Sequence, residues 1–377
     1  MTRPAAESGL TVAPAGGERR RGPAAVKVGL VAACCWWSAA GCEPAAPSIR
    51  ERPLISIVRE SPGQFRIEGL EPIRGFARMR DHTFIHCLEI VLAGTGRYYG
   101  YDELMGFSGL AFRLQFRVDR WDLGNADPFL GESCAEPLFA AVGLDYTLHV
   151  VRRDEIAEVN ALREAIRQSL DNGMPVLATN LIPPEDWGII TGYRPDRTWL
   201  CRAYHGGAEA VDRPATGWPS VVVILSRPRP PLPRAAAREM SLRRAVELFD
   251  LQRSGDYAVG SKAFDNWCVS LATVQDQRYV HANFWTYLTL IDARASAVRY
   301  LRGIAASFGP KAMHLSAAAE WYDKEVRLLL RGLAHVPSAR RFPNSLPPVE
   351  MRNRQTEILR EAQKMERAAI DALRKAL

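Results

Sequence analysis

The sequence predicts an α+β protein, with helices packed on an antiparallel sheet, followed by an all-α helical bundle. Three observations carry this reading. Four short apolar runs separated by Pro, Gly and Asp follow one another between residues 175 and 225, the pattern of paired strands. Beyond residue 236 apolar residues recur at helical spacing over most of the remaining chain. Between the two lies the stiff, proline-rich stretch SRPRPPLPR at 226–234. At 377 residues, and with a 47% apolar share, the chain can bury the cores of two domains at roughly 150 residues each.

Five segments follow. Residues 1–42 read as a leader: 19–27 are basic, 28–40 apolar, and Ala39, Ala40 and Gly41 precede Cys42. This resembles a bacterial lipoprotein signal, which implies lipidation of Cys42 and an envelope location, with the lipid as the link to a membrane. The apolar stretch is shorter than the ~20 residues a membrane span needs. The alternative is a translation start placed too far upstream, in front of a cytoplasmic protein. Residues 43–74, rich in Pro and Arg, read as a tether ending in a strand or two.

Residues 75–226 form the mixed domain. An apolar helix opens at Cys87 and stops near Gly100. Gly106 and Gly109 suggest a turn leading into a strand that ends near Phe116. An amphipathic helix over 154–170 places Ile156, Val159, Leu162, Ile166 and Leu170 on one face, and Asp171, Asn172 and Gly173 stop it. The strands are expected at 175–178, 187–193, 198–204 and 218–225. Residues 227–235 are a linker. Within the helical domain, 236–377, stripes are expected around Leu242–Phe249, Ala263–Leu271, 284–304, 313–333 and 350–377. Such stripes mark bundle core, and no chemistry is evident in them.

The charge of +7 lies partly in the leader, where Arg3, Arg19, Arg20, Arg21 and Lys27 oppose only Glu7 and Glu18. The remainder has no basic run, so no nucleic-acid partner is expected. Of seven cysteines, Cys34, Cys35 and Cys42 fall in the leader. Cys87, Cys134, Cys201 and Cys268 are widely spaced without a CxxC pair, which points to reduced, buried thiols.

Cys87 is the candidate nucleophile, because a thiol at a helix N-terminus meets the positive end of the macrodipole. Three passages, in order, carry a resemblance: 87–100, with its YYG stop; 171–178 (DNGMPVLA); and 187–193 (WGIITGY). Together the segment resembles the papain-like cysteine peptidases that process bacteriocins, and the butirosin-biosynthesis acyltransferases, whose C-terminal half is helical. The resemblance implies a papain-like domain, in which Cys87 attacks a thioester or amide carbonyl. It implies an acyl-carrier protein or peptide as partner, a small-molecule acceptor, and no cofactor.

Three positions depart from that pattern. Asp186 stands where the resemblance puts the histidine base. Asp81 and His82 stand near the place of the oxyanion glutamine, and no acid or amide falls within 201–204. A carboxylate beside a thiol raises its pKa, contrary to what a nucleophile needs. His205 is the candidate displaced base and His82 a candidate oxyanion donor, while His86 is expected to cap the helix or pack on Tyr99. The alternative function is a catalytically inactive papain-like scaffold that binds a peptide or small molecule. Also weighed are a metal cluster of Asp81, His82, His86 and Cys87, a polar site at Asp119, Asp122 and Asp127, and Arg113 as partner of a substrate carboxylate or of Glu89.

Overall fold

Two strands precede the first helix. In the computed structural model β1 (Ser56–Ser61) and β2 (Gln64–Glu68) form an antiparallel hairpin, and β2 then pairs with a strand more than a hundred residues later. The structure describes residues 55–377 except 62, 74–75, 77–78, 152–155, 206–211, 275–278, 339 and 343–344. The leader, with Cys34, Cys35 and Cys42, and the start of the tether lie outside the described residues. The described part falls within one unit, Pro53–Leu377.

Helix α1 (Thr83–Gly94) is apolar almost all round, and all but one of its residues are buried. Next comes a helix where the sequence suggested a turn, α2 (Tyr101–Ser108). Position 106 is glycine because α2 passes close to a later helix: a Cβ there would meet the Tyr300 ring at 2.6 Å. Gly109, at φ +83°, is the left-handed cap that ends α2. The expected strand is β3 (Gln115–Arg117). Helix α3 (Ala135–Val142) tolerates Pro137 because it falls in the first turn. Strand β4 (Leu144–Val150) follows, and then α4 (Ile156–Asp171). The Gly173 and Met174 amides turn back onto the Leu170 and Ser169 carbonyls and stop that helix.

The four apolar runs become β5 (Val176–Thr179), β6 (Trp187–Tyr193), β7 (Trp199–Ala203) and β9 (Val221–Pro228), with a short β8 (Arg213–Pro214) between the last two. Every pairing is antiparallel. Along the sheet the order is β1-β2-β6-β5-β9-β4, with β7 joined to β6 and β8 to β7. Strand β5 is buried throughout and β6 nearly so, which fits their reading as continuous apolar runs; α1 and α4 both pack on them.

The C-terminal region is helical: α5 (Arg234–Asp250), α6 (Ser261–Ala272), α7 (Tyr279–Ile304), α8 (Ala312–Gly332) and α9 (Val349–Ala376). A two-strand interruption, β10 (Arg253–Ser254) and β11 (Tyr257–Val259), pairs with β3 and ties the two regions together. One apolar core continues from the sheet and α1 through α2 into α5, α7, α8 and α9. The proline-rich stretch therefore marks a change of secondary structure, and packing runs straight across it. Among the described residues no helix is long and apolar enough to cross a membrane.

Candidate functional site

The N-terminal end of α1 gathers the polar groups the sequence singled out, but it arranges them differently from the expectation. Cys87 lies in the second turn of α1, is 0% exposed and belongs to the apolar core. Burial pushes its thiol well above the ordinary range, and the Asp186 carboxylate adds to the rise. These are the surroundings of a core cysteine rather than a thiolate. Cys134, Cys201 and Cys268 are likewise free and buried.

Thr83, itself buried, is the first residue of α1. Its hydroxyl donates to Asp186 Oδ1 at 2.5 Å, and the Trp187 amide donates to the same oxygen at 2.8 Å. Asp186 Oδ2 lies 3.8 Å from His205 Nε2, with the two side chains 14% and 30% exposed. Burial raises the Asp186 carboxyl to about 6; the Thr83 and Trp187 hydrogen bonds oppose the rise, and nearby Asp127 and Glu185 reinforce it. His205 is shifted downward by its burial and by His281, so the neutral imidazole is favoured. Its ring lies 5.1 Å from that of Phe76, which also packs on Tyr204 and, edge-on, on Trp285.

His82 is the N-cap residue of α1 but caps nothing with its own side chain. Capping comes instead from Asp292 of α7: its Oδ2 accepts the Asp81 amide at 2.9 Å, the His82 amide at 3.2 Å and the Tyr101 hydroxyl at 2.5 Å. His82 Nδ1 sits 3.1 Å from the same oxygen. The helical region, which showed no chemistry in the sequence, thus supplies the buried carboxylate that orders this end of α1.

The remaining candidates find structural partners. His86 pairs with Glu89 at 3.1 Å and packs near Tyr101 and Tyr204, neither capping the helix nor meeting Tyr99. Glu89 is also held by Arg80 and accepts the Tyr101 amide. Arg113 is not the partner of Glu89. It donates to the carbonyls of Asn125, Asp127, Leu130 and Glu132, at 2.6 to 3.4 Å. The loop so held presents Asp127, whose Oδ2 accepts the Trp187 indole at 2.9 Å next to Asp186. Asp119 and Asp122 pair with Arg117 outside this site. Arg113→Met should therefore lower stability by roughly 3 kcal/mol, since it strands buried carbonyls. Urea midpoints together with proteolytic nicking between residues 122 and 133 would measure the loss.

Among the described residues no group of three or more His, Cys, Asp or Glu is placed to hold a metal ion. Five members of the site were not picked out in the sequence: Phe76, Thr83, Tyr101, Trp285 and Asp292. Only Thr83 had a local signal, a Thr immediately before an apolar helical run. No protein-family model and no curated protein matches this chain.

Proposed function

We propose that residues 75–226 are a papain-like scaffold that does not work through Cys87, and that the partly exposed face formed by Asp186, His205, Phe76 and Trp285 beside the N-terminal end of α1 binds a peptide or small molecule. One observation carries this: the thiol at the position where the resemblance expects the nucleophile is fully buried and its pKa raised, with a carboxylate rather than an imidazole beside it. A buried thiol with a raised pKa is a poor nucleophile toward a thioester or an alkylating electrophile. What remains accessible is polar and aromatic: part of Asp186, His205 and the Phe76–Trp285 edge. On this reading the helical region supports that face through Asp292 and supplies Trp285 to it, and a carrier-protein segment or a peptide is the class of partner to test first.

A positional-scanning peptide set and a small-molecule fragment set, read by amide NMR shifts on the full chain, test the reading. Shifts are expected at 81–87 and 185–205, and they should be the same in Cys87→Ala. Binding that disappears with the Cys87 thiol, or shifts confined to other surfaces, would overturn it.

A further inference from the structure

We propose that β4 is the contact strand of a two-fold dimer, in which it pairs antiparallel with β4 of a second copy and continues the sheet across both chains. The sheet order ends on β4, and among the described residues β4 pairs only with β9. Alternation along the strand shows which groups face the open side. The Val151 amide donates to the Ser220 carbonyl at 2.9 Å, so Asp145, Thr147 and His149 turn their amides and carbonyls toward β9. Tyr146, Leu148 and Val150 therefore turn theirs outward, where another strand can take them.

Two further features leave this edge open to pairing. Sheets usually blunt an open edge with a charge, a proline, a bulge or a very short strand. At the opposite end β1 carries Arg59 and a register shift between Val58 and Ser61, and β8 is two residues long. Between Tyr146 and Val150, by contrast, β4 has no Lys, Arg, Asp, Glu or Pro and no register shift. One face of it is also apolar. Tyr146 stacks on Phe139 of α3, and further along the same face Leu148 and Val150 are 38% and 69% exposed.

A second copy is the occupant because the strand is complementary to itself. With the two-fold axis at Thr147, Tyr146 meets Leu148 of the second copy, an aromatic–aliphatic pair on the apolar face, and the two exchange their outward amides and carbonyls. On the other face Asp145 meets His149 of the second copy, so a carboxylate lies opposite an imidazole on each side of the axis. Arg229 of its own chain, 3.4 Å from Asp145, stays beside that pair. Moving the axis by one residue in either direction takes Asp145 away from His149, so the charges also select the register.

Sedimentation velocity of the full chain from about 1 to about 100 μM should show a monomer passing into a dimer. Leu148→Lys should stay monomeric over that range. Leu148→Pro should do the same with the far-UV spectrum of wild type, since that amide bonds nothing in β9. Asp145→Lys and His149→Glu should each raise the dissociation constant about tenfold, and the two combined should restore it, which a mere loss of stability would not do. Thr147→Cys, mildly oxidised, should give a dimer whose disulfide maps to residue 147 of both copies, because directly opposed residues outside the hydrogen-bonded pairs bring their Cα atoms to about 4.5 Å. A chain that is monomeric throughout, a dimer untouched by Leu148→Lys, or a Thr147→Cys dimer without that cross-link overturns the proposal. So does a monomer whose Tyr146, Leu148 and Val150 amides resist hydrogen exchange, which would give the edge to another segment of this chain.

Discussion

Arg294→Met is expected to cost about 3–5 kcal/mol, whereas Glu325→Gln is expected to be neutral or stabilising. Arg294 on α7 is 0% exposed and grips Glu366 of α9 with two nitrogens, at 2.7 and 3.1 Å. It also donates to the Ala111 carbonyl at 2.9 Å, so one guanidinium joins the long helices to the segment after α2. Glu325 of α8 lies 3.6 Å from Arg294, fully buried, and faces the Glu366 carboxyl across the same guanidinium.

One cation thus faces two carboxyls. Burial and the Glu366 charge hold the Glu325 carboxyl well above the usual carboxylate range, so Glu325 is the member that keeps its proton. The folded protein retains a proton that the unfolded chain releases at about 4.3, so this contribution is complete below that pH and is lost as pH rises toward the folded value. Removing Arg294 leaves a buried anion unpaired, while Glu325→Gln removes only a group that must stay neutral. Urea midpoints from pH 5 to 9 measure both. Wild-type stability should fall over that range, and Glu325→Gln should flatten the fall. A Glu325→Gln variant as damaged as Arg294→Met would show that Glu325 is ionised in the fold.

Asp292→Ala is the second large effect, again about 3–5 kcal/mol, with the loss concentrated at the start of α1. A single carboxylate oxygen serves two backbone amides, the Tyr101 hydroxyl and the His82 ring. Burial opposes ionisation of Asp292, but the His82 contact and the Tyr101 hydrogen bond outweigh it and hold the carboxyl below its ordinary range. Stability from this group is therefore present above the unfolded-state value of about 3.9 and lost as pH falls through the folded one. Asp292→Asn keeps an acceptor for the amides, so it should cost less than Ala and should weaken the acid dependence. Hydrogen exchange of the α1 amides, followed from pH 7 to 3, separates the variants. Exchange at α1 that matches wild type in Asp292→Ala would remove the capping role.

Much of this fold was legible because its signals are local. The runs at 176–179 and 187–193 declare buried strands through unbroken apolar sequence, and the stripe Ile358, Ala362, Ala369, Leu373 declares α9 through its period. Elements with weak local signals were lost. Helix α2 contains Gly106 and ends on Gly109, a pair that reads as a turn, and only the ring of Tyr300, nearly two hundred residues away, shows why a helical position there is glycine. Strand β4, LDYTLHV, has its pattern diluted because it ends the sheet order and is half exposed.

At the site, the sequence brought out Cys87, Asp186, His205 and His82, and the structure sets Asp186, His205 and His82 around the N-terminal end of α1. What the sequence could not supply was depth. Thr83 and Cys87 are four residues apart on one helix face, and only packing shows that the helix begins at Thr83, placing Cys87 a turn inside the core. Asp292 was invisible for a different reason: it contacts residues more than two hundred positions away, from a helix whose pattern reads simply as bundle core.

The most direct test of the account is the rate of iodoacetamide alkylation of Cys87 in native full-length protein between pH 6 and 9, mapped by mass spectrometry, with Cys87→Ala as control. Labelling is expected to be so slow that it follows opening of the fold, rising with denaturant and reaching free-thiol rates only once the chain unfolds. Rapid labelling of native protein well below the free-thiol value of about 8.5 would show an activated thiolate, and would return Cys87 to the centre of the site.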